Sequence, residues 1–95
     1  MILFEWDTTK ATSNLKKHGV SFDEAQTVFD NPLAYIFDDE WHSIDEVREL
    51  IIGYSTHKRL LIISFTEKLS GIIRIISARK ATTQERKKYE EHRIQ

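Results

Sequence analysis

The sequence predicts an α+β domain, a predominantly antiparallel sheet packed with helices in the order β-α-α-β-β-β-β-α. Four strand-like runs follow one another between residues 33 and 77, and two are joined to their successors by segments short enough for antiparallel neighbours. Capped helical stretches precede and follow them. The run Leu60 to Phe65 is apolar on both faces, which suits a central strand covered by helices.

Ile2 to Trp6 is a short apolar-rich run and reads as a first strand, with one parallel pairing open to it. Asp7 caps a helix over Thr8 to Lys17, with Ala11, Leu15 and His18 on one side and Lys10, Asn14 and Lys17 on the adjoining stripe. Gly19 is a natural left-handed stop. Ser21 and Glu24 have capping-box spacing, and Val20 with Ala25 forms the staple of a second helix that buries Phe22, Ala25 and Phe29. Asp30-Asn31-Pro32 ends it. Strands are expected at Leu33 to Phe37, Val47 to Tyr54, Leu60 to Thr66 and Ile72 to Ser77, with a polar bend over 38–46. Thr82 and Glu85 repeat the capping-box spacing, opening a last helix to about His92 anchored mainly by Tyr89.

The 95 residues, 40% apolar, are enough for one modest core, so residues 1–95 are expected to form a single domain. The absence of cysteine excludes a disulfide framework and a thiol nucleophile. No signal peptide or membrane span is visible, and a cytoplasmic location is the expectation. The net charge of -1 conceals an asymmetry: residues 1–56 carry four Lys/Arg against eleven Asp/Glu, residues 57–95 ten against four. A fold that gathers the second half together creates a site for anions.

Several residues have the chemistry for such a site. Lys16-Lys17-His18 offsets the negative end of the first helix; equally, Lys17 suits phosphate and His18 suits proton transfer. Glu46 and Arg48, two apart at the start of a strand, project to one face as an edge ion pair or as a base beside a phosphate-neutralising guanidinium. Arg74, within the last strand, and Arg79, at its exit, bracket Ile75-Ile76-Ser77-Ala78, and their opposite parity argues against one flat face without a bend. His42 and His57 lie in a polar bend and a turn. The four histidines lack metal-ligand spacing, and no phosphate-cradling glycine motif is present, so no metal or cofactor is expected.

Across nearly the whole chain, these residues resemble the BrnT-type toxins of bacterial type II toxin–antitoxin systems. The resemblance rests on Phe4-Glu5-Trp6-Asp7, Lys10, Asn14, Lys17-His18-Gly19-Val20-Ser21-Phe22, Ala25, Val28-Phe29-Asp30 and Pro32. It continues through Glu46, Arg48, Gly53, Arg59, Arg74-Ile75-Ile76-Ser77-Ala78-Arg79, Ala81, Glu85 and Tyr89. Asn31 stands where such toxins commonly have aspartate, and Lys58 where glycine is frequent. The resemblance implies a RelE/ParE-like fold and an endoribonuclease that suppresses translation. It also implies a cognate BrnA-like antitoxin that neutralises the toxin and brings promoter DNA to the complex only indirectly. The catalytic set it suggests is Lys17, His18, Glu46, Arg48 and Arg79, with Arg74, Lys17 and Arg79 holding RNA. In that scheme Glu46 serves as base and His18 as acid, or the reverse. The competing reading is a non-catalytic nucleic-acid- or protein-binding module.

Overall fold

The computed structural model describes residues 2–40 and 46–94. Its elements are β1 (Phe4–Glu5), α1 (Thr8–His18), α2 (Phe22–Thr27), a 3-10 turn (Val28–Asp30), β2 (Tyr35–Asp38), β3 (Glu49–Tyr54), β4 (Leu60–Glu67), β5 (Ile73–Lys80) and α3 (Thr83–Ile94). The element order is the expected one, with the 3-10 turn added. The polar bend expected over 38–46, with His42, falls largely outside the described residues. Strands lie in the order β1-β5-β4-β3-β2. Neighbours from β2 to β5 are antiparallel, but β1 runs parallel to β5, so the sheet is mixed. No helix among the described residues is long and apolar enough to cross a membrane.

Both faces of β4 are buried, as its sequence anticipated. Leu61, Ile63 and Phe65 face α1 and α2 in one cluster with Val20, Phe22, Ala25, Val28, Ile51, Ile73, Ile75 and Ala78. Aromatic edges tie that layer together, with Phe29 against Phe4 and Phe65 at ring-centroid separations of 5.1 and 5.0 Å. Leu60 and Ile62 point the other way and, with Ile52, pack against Tyr89 of α3. The Tyr89 hydroxyl donates to the Leu33 carbonyl at 3.0 Å. One buried aromatic with its polar tip satisfied thus seats a helix that is otherwise polar up to its last residue, Ile94.

The buried side of α1 keeps only part of the expected stripe, for Ala11 packs against the core and His18 is partly buried. Leu15 is 51% exposed, whereas Asn14 is buried. β1 pairs only with the first residues of β5, leaving the remainder of that strand at a sheet edge. There the Asn14 amide accepts from the Ala78 N–H (3.1 Å) and donates to the Ala78 carbonyl (2.8 Å) and the Val20 carbonyl (2.9 Å). Satisfied backbone, added to the packing of Ala11, sets which face of α1 turns inward.

The second helix also departs from its expected cap. Ser21 accepts from the Glu24 N–H at 3.0 Å, but the Glu24 carboxylate does not return to the cap. It accepts from Ser55 Oγ (2.7 Å) and Arg59 Nε (2.9 Å), and Arg59 Nη2 also reaches it. Arg59 donates as well to the Gly19 carbonyl, joining the end of α1 to the β3–β4 hairpin. In that hairpin Lys58 adopts φ 61°, the left-handed position that follows a tight turn and explains why glycine suits this site. Asn31 Nδ2 donates to the Tyr54 carbonyl at 3.2 Å while its Oδ1 caps the Leu33 N–H. A carboxylate there could accept but not donate.

Candidate active site

α3 covers only part of the second sheet face. Beside it, Asp39, Arg48, Leu50, Ile62, Ser64, Ile76, Ser77 and Arg79 line a cavity of about 240 Å³. Aliphatic Leu50, Ile62 and Ile76 line it together with Ser64 and Ser77, and Arg48 and Arg79 add guanidinium groups.

A β-bulge puts Arg79 in this groove. Ser64 pairs with Ser77 and Phe65 with Ile75, leaving Ile76 without a partner opposite. The extra residue reverses the alternation, so Ile73, Ile75 and Ala78 all face the α1–α2 layer. Arg74, between Ile73 and Ile75, and Arg79, after Ala78, therefore project to the opposite face together. The parity conflict visible in the sequence is resolved by the kind of bend it required.

Arg48 precedes β3 at the other end of the groove. Its backbone carbonyl accepts from the Asp39 N–H at 2.9 Å, and its Nε lies 3.8 Å from Glu46 Oε1. Glu46 is half exposed beside the groove. Arg74 pairs with Thr66 in register and binds Glu5 at 3.0 Å, with Lys68 on the same carboxylate at 2.6 Å. Those two cations hold the Glu5 carboxyl below its ordinary value. Arg79 forms a two-point pair with Glu85, at 2.8 and 2.9 Å. That contact, together with the Thr82 cap, holds the Glu85 carboxyl at about 2.

Lys17 and His18 stand elsewhere. They close α1 just before Gly19, which Arg59 ties to the hairpin end of β3. Glu46 precedes the opposite end of β3, and six strand residues at ~3.3 Å each separate the two ends. The structure brings Arg48 and Arg79 to one cavity with Glu46 near Arg48. It does not bring His18 to Glu46, which corrects the expected convergence of those two groups. His57 is exposed, 3.4 Å from Glu24 in the hairpin clamp. Sequence reasoning passed over Asp39, Ser64 and Ser77 because short polar residues in strands carry no motif; only the cross-strand register gathers them. Among the described residues, no cluster of His, Asp or Glu has the makings of a metal site.

Fold and groove together define a small α+β protein whose partly uncovered sheet face presents arginines, an arrangement chemically suited to phosphate. The chain belongs to the BrnT family, the ribonuclease toxins of type II toxin–antitoxin systems, whose family model matches residues 6–85. Among solved structures it is similar to the Brucella abortus ribonuclease toxin BrnT, at 22% identity and a TM-score of 0.67. That match covers 87% of this chain and 100% of the Brucella chain, and likeness at this identity establishes the fold. No curated protein matches. Family membership makes the chain a ribonuclease toxin and implies an RNA substrate and an antitoxin partner.

Proposed function

We propose that this toxin is a single-domain, RelE/ParE-like endoribonuclease that cleaves RNA in the groove between Arg48 and Arg79 without a metal. The observation that carries the reading is the bulge in β5, which turns Arg79 into the cavity that Arg48 also lines. Glu46, beside Arg48, removes the 2′-hydroxyl proton. The freed oxygen attacks the adjacent phosphorus, the bond from phosphorus to the 5′ oxygen breaks, and that oxygen takes a proton from water in the open groove. Arg48 and Arg79 neutralise the charge that accumulates on the phosphoryl oxygens. Products are a 2′,3′-cyclic phosphate and a 5′-hydroxyl. Arg74 holds a flanking phosphate, and Lys17 and His18 contact RNA along the α1 end rather than at the scissile bond.

In the cell this reading places the toxin in the cytoplasm, suppressing translation. A BrnA-like antitoxin inhibits it and links it to promoter DNA. The test is cleavage of RNA in chelator, with and without a 2′-deoxy substitution at the cut site, followed by analysis of product ends. The substituted linkage should survive and the unmodified one should yield cyclic phosphate. Cleavage of the deoxy linkage would exclude attack by the 2′ oxygen, and binding without new ends would favour a non-catalytic module.

A further inference from the structure

In the Arg79–Glu85 pair the partner of the arginine is itself immobilised. Glu85 Oε1 accepts the Thr82 N–H at 2.8 Å, and the Glu85 N–H donates to Thr82 Oγ1 at 3.1 Å. This reciprocal capping box fixes the carboxylate at the start of α3. The carboxylate meets Arg79 end-on, through Nη1 and Nη2, and the Lys80 carbonyl receives a further Nη1 bond at 3.3 Å. Nε–H and the second Nη2–H remain, side by side on one edge of the guanidinium, without an acceptor among the described residues. That edge has the spacing of a phosphate fork.

Resting on the reading of Arg79 as a phosphate contact, we infer that Glu85 is a positioning residue for RNA cleavage. It orients the Arg79 guanidinium so that its Nε–Nη2 edge is the one offered to the scissile phosphate. An arginine held on one edge loses less rotamer freedom when the other edge binds, and the benefit falls on the step in which phosphoryl charge builds up. α3 is thereby part of the cleavage apparatus although none of its side chains need touch the RNA.

The experiment is steady-state cleavage of one RNA by the Arg79→Ala, Glu85→Gln, Glu85→Ala and Thr82→Ala variants and by the Arg79→Ala/Glu85→Ala double variant. Amide exchange over 83–92 checks that α3 stays formed. Arg79→Ala should lower kcat about 100-fold, and Glu85→Gln, which preserves shape and the cap, about 10-fold, with KM changed less. Thr82→Ala should remain within about twofold of the parent, because the backbone N–H that Glu85 Oε1 accepts is kept and only the hydroxyl that accepts the Glu85 N–H is removed. In the Arg79→Ala background, Glu85→Ala should cost about twofold or less, since a residue acting through Arg79 has nothing left to position. A parental rate for Glu85→Gln beside an impaired Arg79→Ala overturns the inference alone. So does an equal loss from Thr82→Ala, or a full further loss in the double variant. A parental rate for Arg79→Ala instead overturns the reading of the groove beneath it.

Discussion

Glu24 lies outside the groove as an almost fully buried carboxylate with Arg59, Ser55 and His57 around it. The Arg59 hydrogen bond outweighs the burial that opposes charge and holds the carboxyl at about 2, against an ordinary 4.5. A carboxyl depressed on folding contributes stability that is complete above its unfolded value and is lost as pH falls through the folded one. Stability should therefore decline between about pH 4.5 and 2, with Glu85 contributing in the same window. Glu24→Gln should cost about 2–3 kcal/mol at neutral pH in urea unfolding, less than the ~3–5 kcal/mol of a fully buried pair because Arg59 keeps partial access to water. The variant should also show a shallower acid decline than the parent. Nothing in the Ser21–Glu24 spacing distinguishes a cap-returning glutamate from one committed to a distant arginine. The choice depends on Arg59, 35 positions away.

At the scale of elements, α3 shows how little apolar surface a helix needs when one anchor is well seated. Tyr89 is 1% exposed, meets the Tyr54 ring edge-on at a centroid separation of 6.0 Å and hydrogen-bonds Leu33. His92 stacks on Tyr35 a turn later. Tyr89→Ala should remove amide protection across the last helix while β4 stays protected, because β4 retains its packing on the α1–α2 side. If the helix instead unfolds only with the whole domain, urea unfolding should show a loss of about 3–5 kcal/mol. This helix was legible from the Thr82–Glu85 spacing and the lone tyrosine. The inward role of Asn14 was not, because a side-chain amide acquires its value from the strand edge it meets, and that edge exists only once β1 stops short.

For the molecule as a whole, the acidic-then-basic order of the chain becomes a spatial pattern through β5. Arg74 and Arg79, which the bulge turns to one side, join Arg48 from the acidic half. Replacing Arg48, Arg74 and Arg79 together by alanine should reduce the slope of log affinity for single-stranded RNA against log salt by about 2, near 0.7 for each phosphate no longer neutralised. An unchanged slope across a potassium chloride series would move RNA off this face. Alternating patterns predicted the strands but not the bulge, since one unpaired isoleucine within Arg74-Ile75-Ile76-Ser77 has no signature of its own.

The hold of Asn14 on Ala78 also bears on how copies of the protein meet one another. An unpaired strand margin is a template on which a second chain can extend the ladder, the usual start of unwanted assembly. Here a side-chain amide already engages both backbone groups of Ala78, so a newcomer along this stretch of β5 must first evict it. Among the described residues, β2 forms the opposite margin of the sheet.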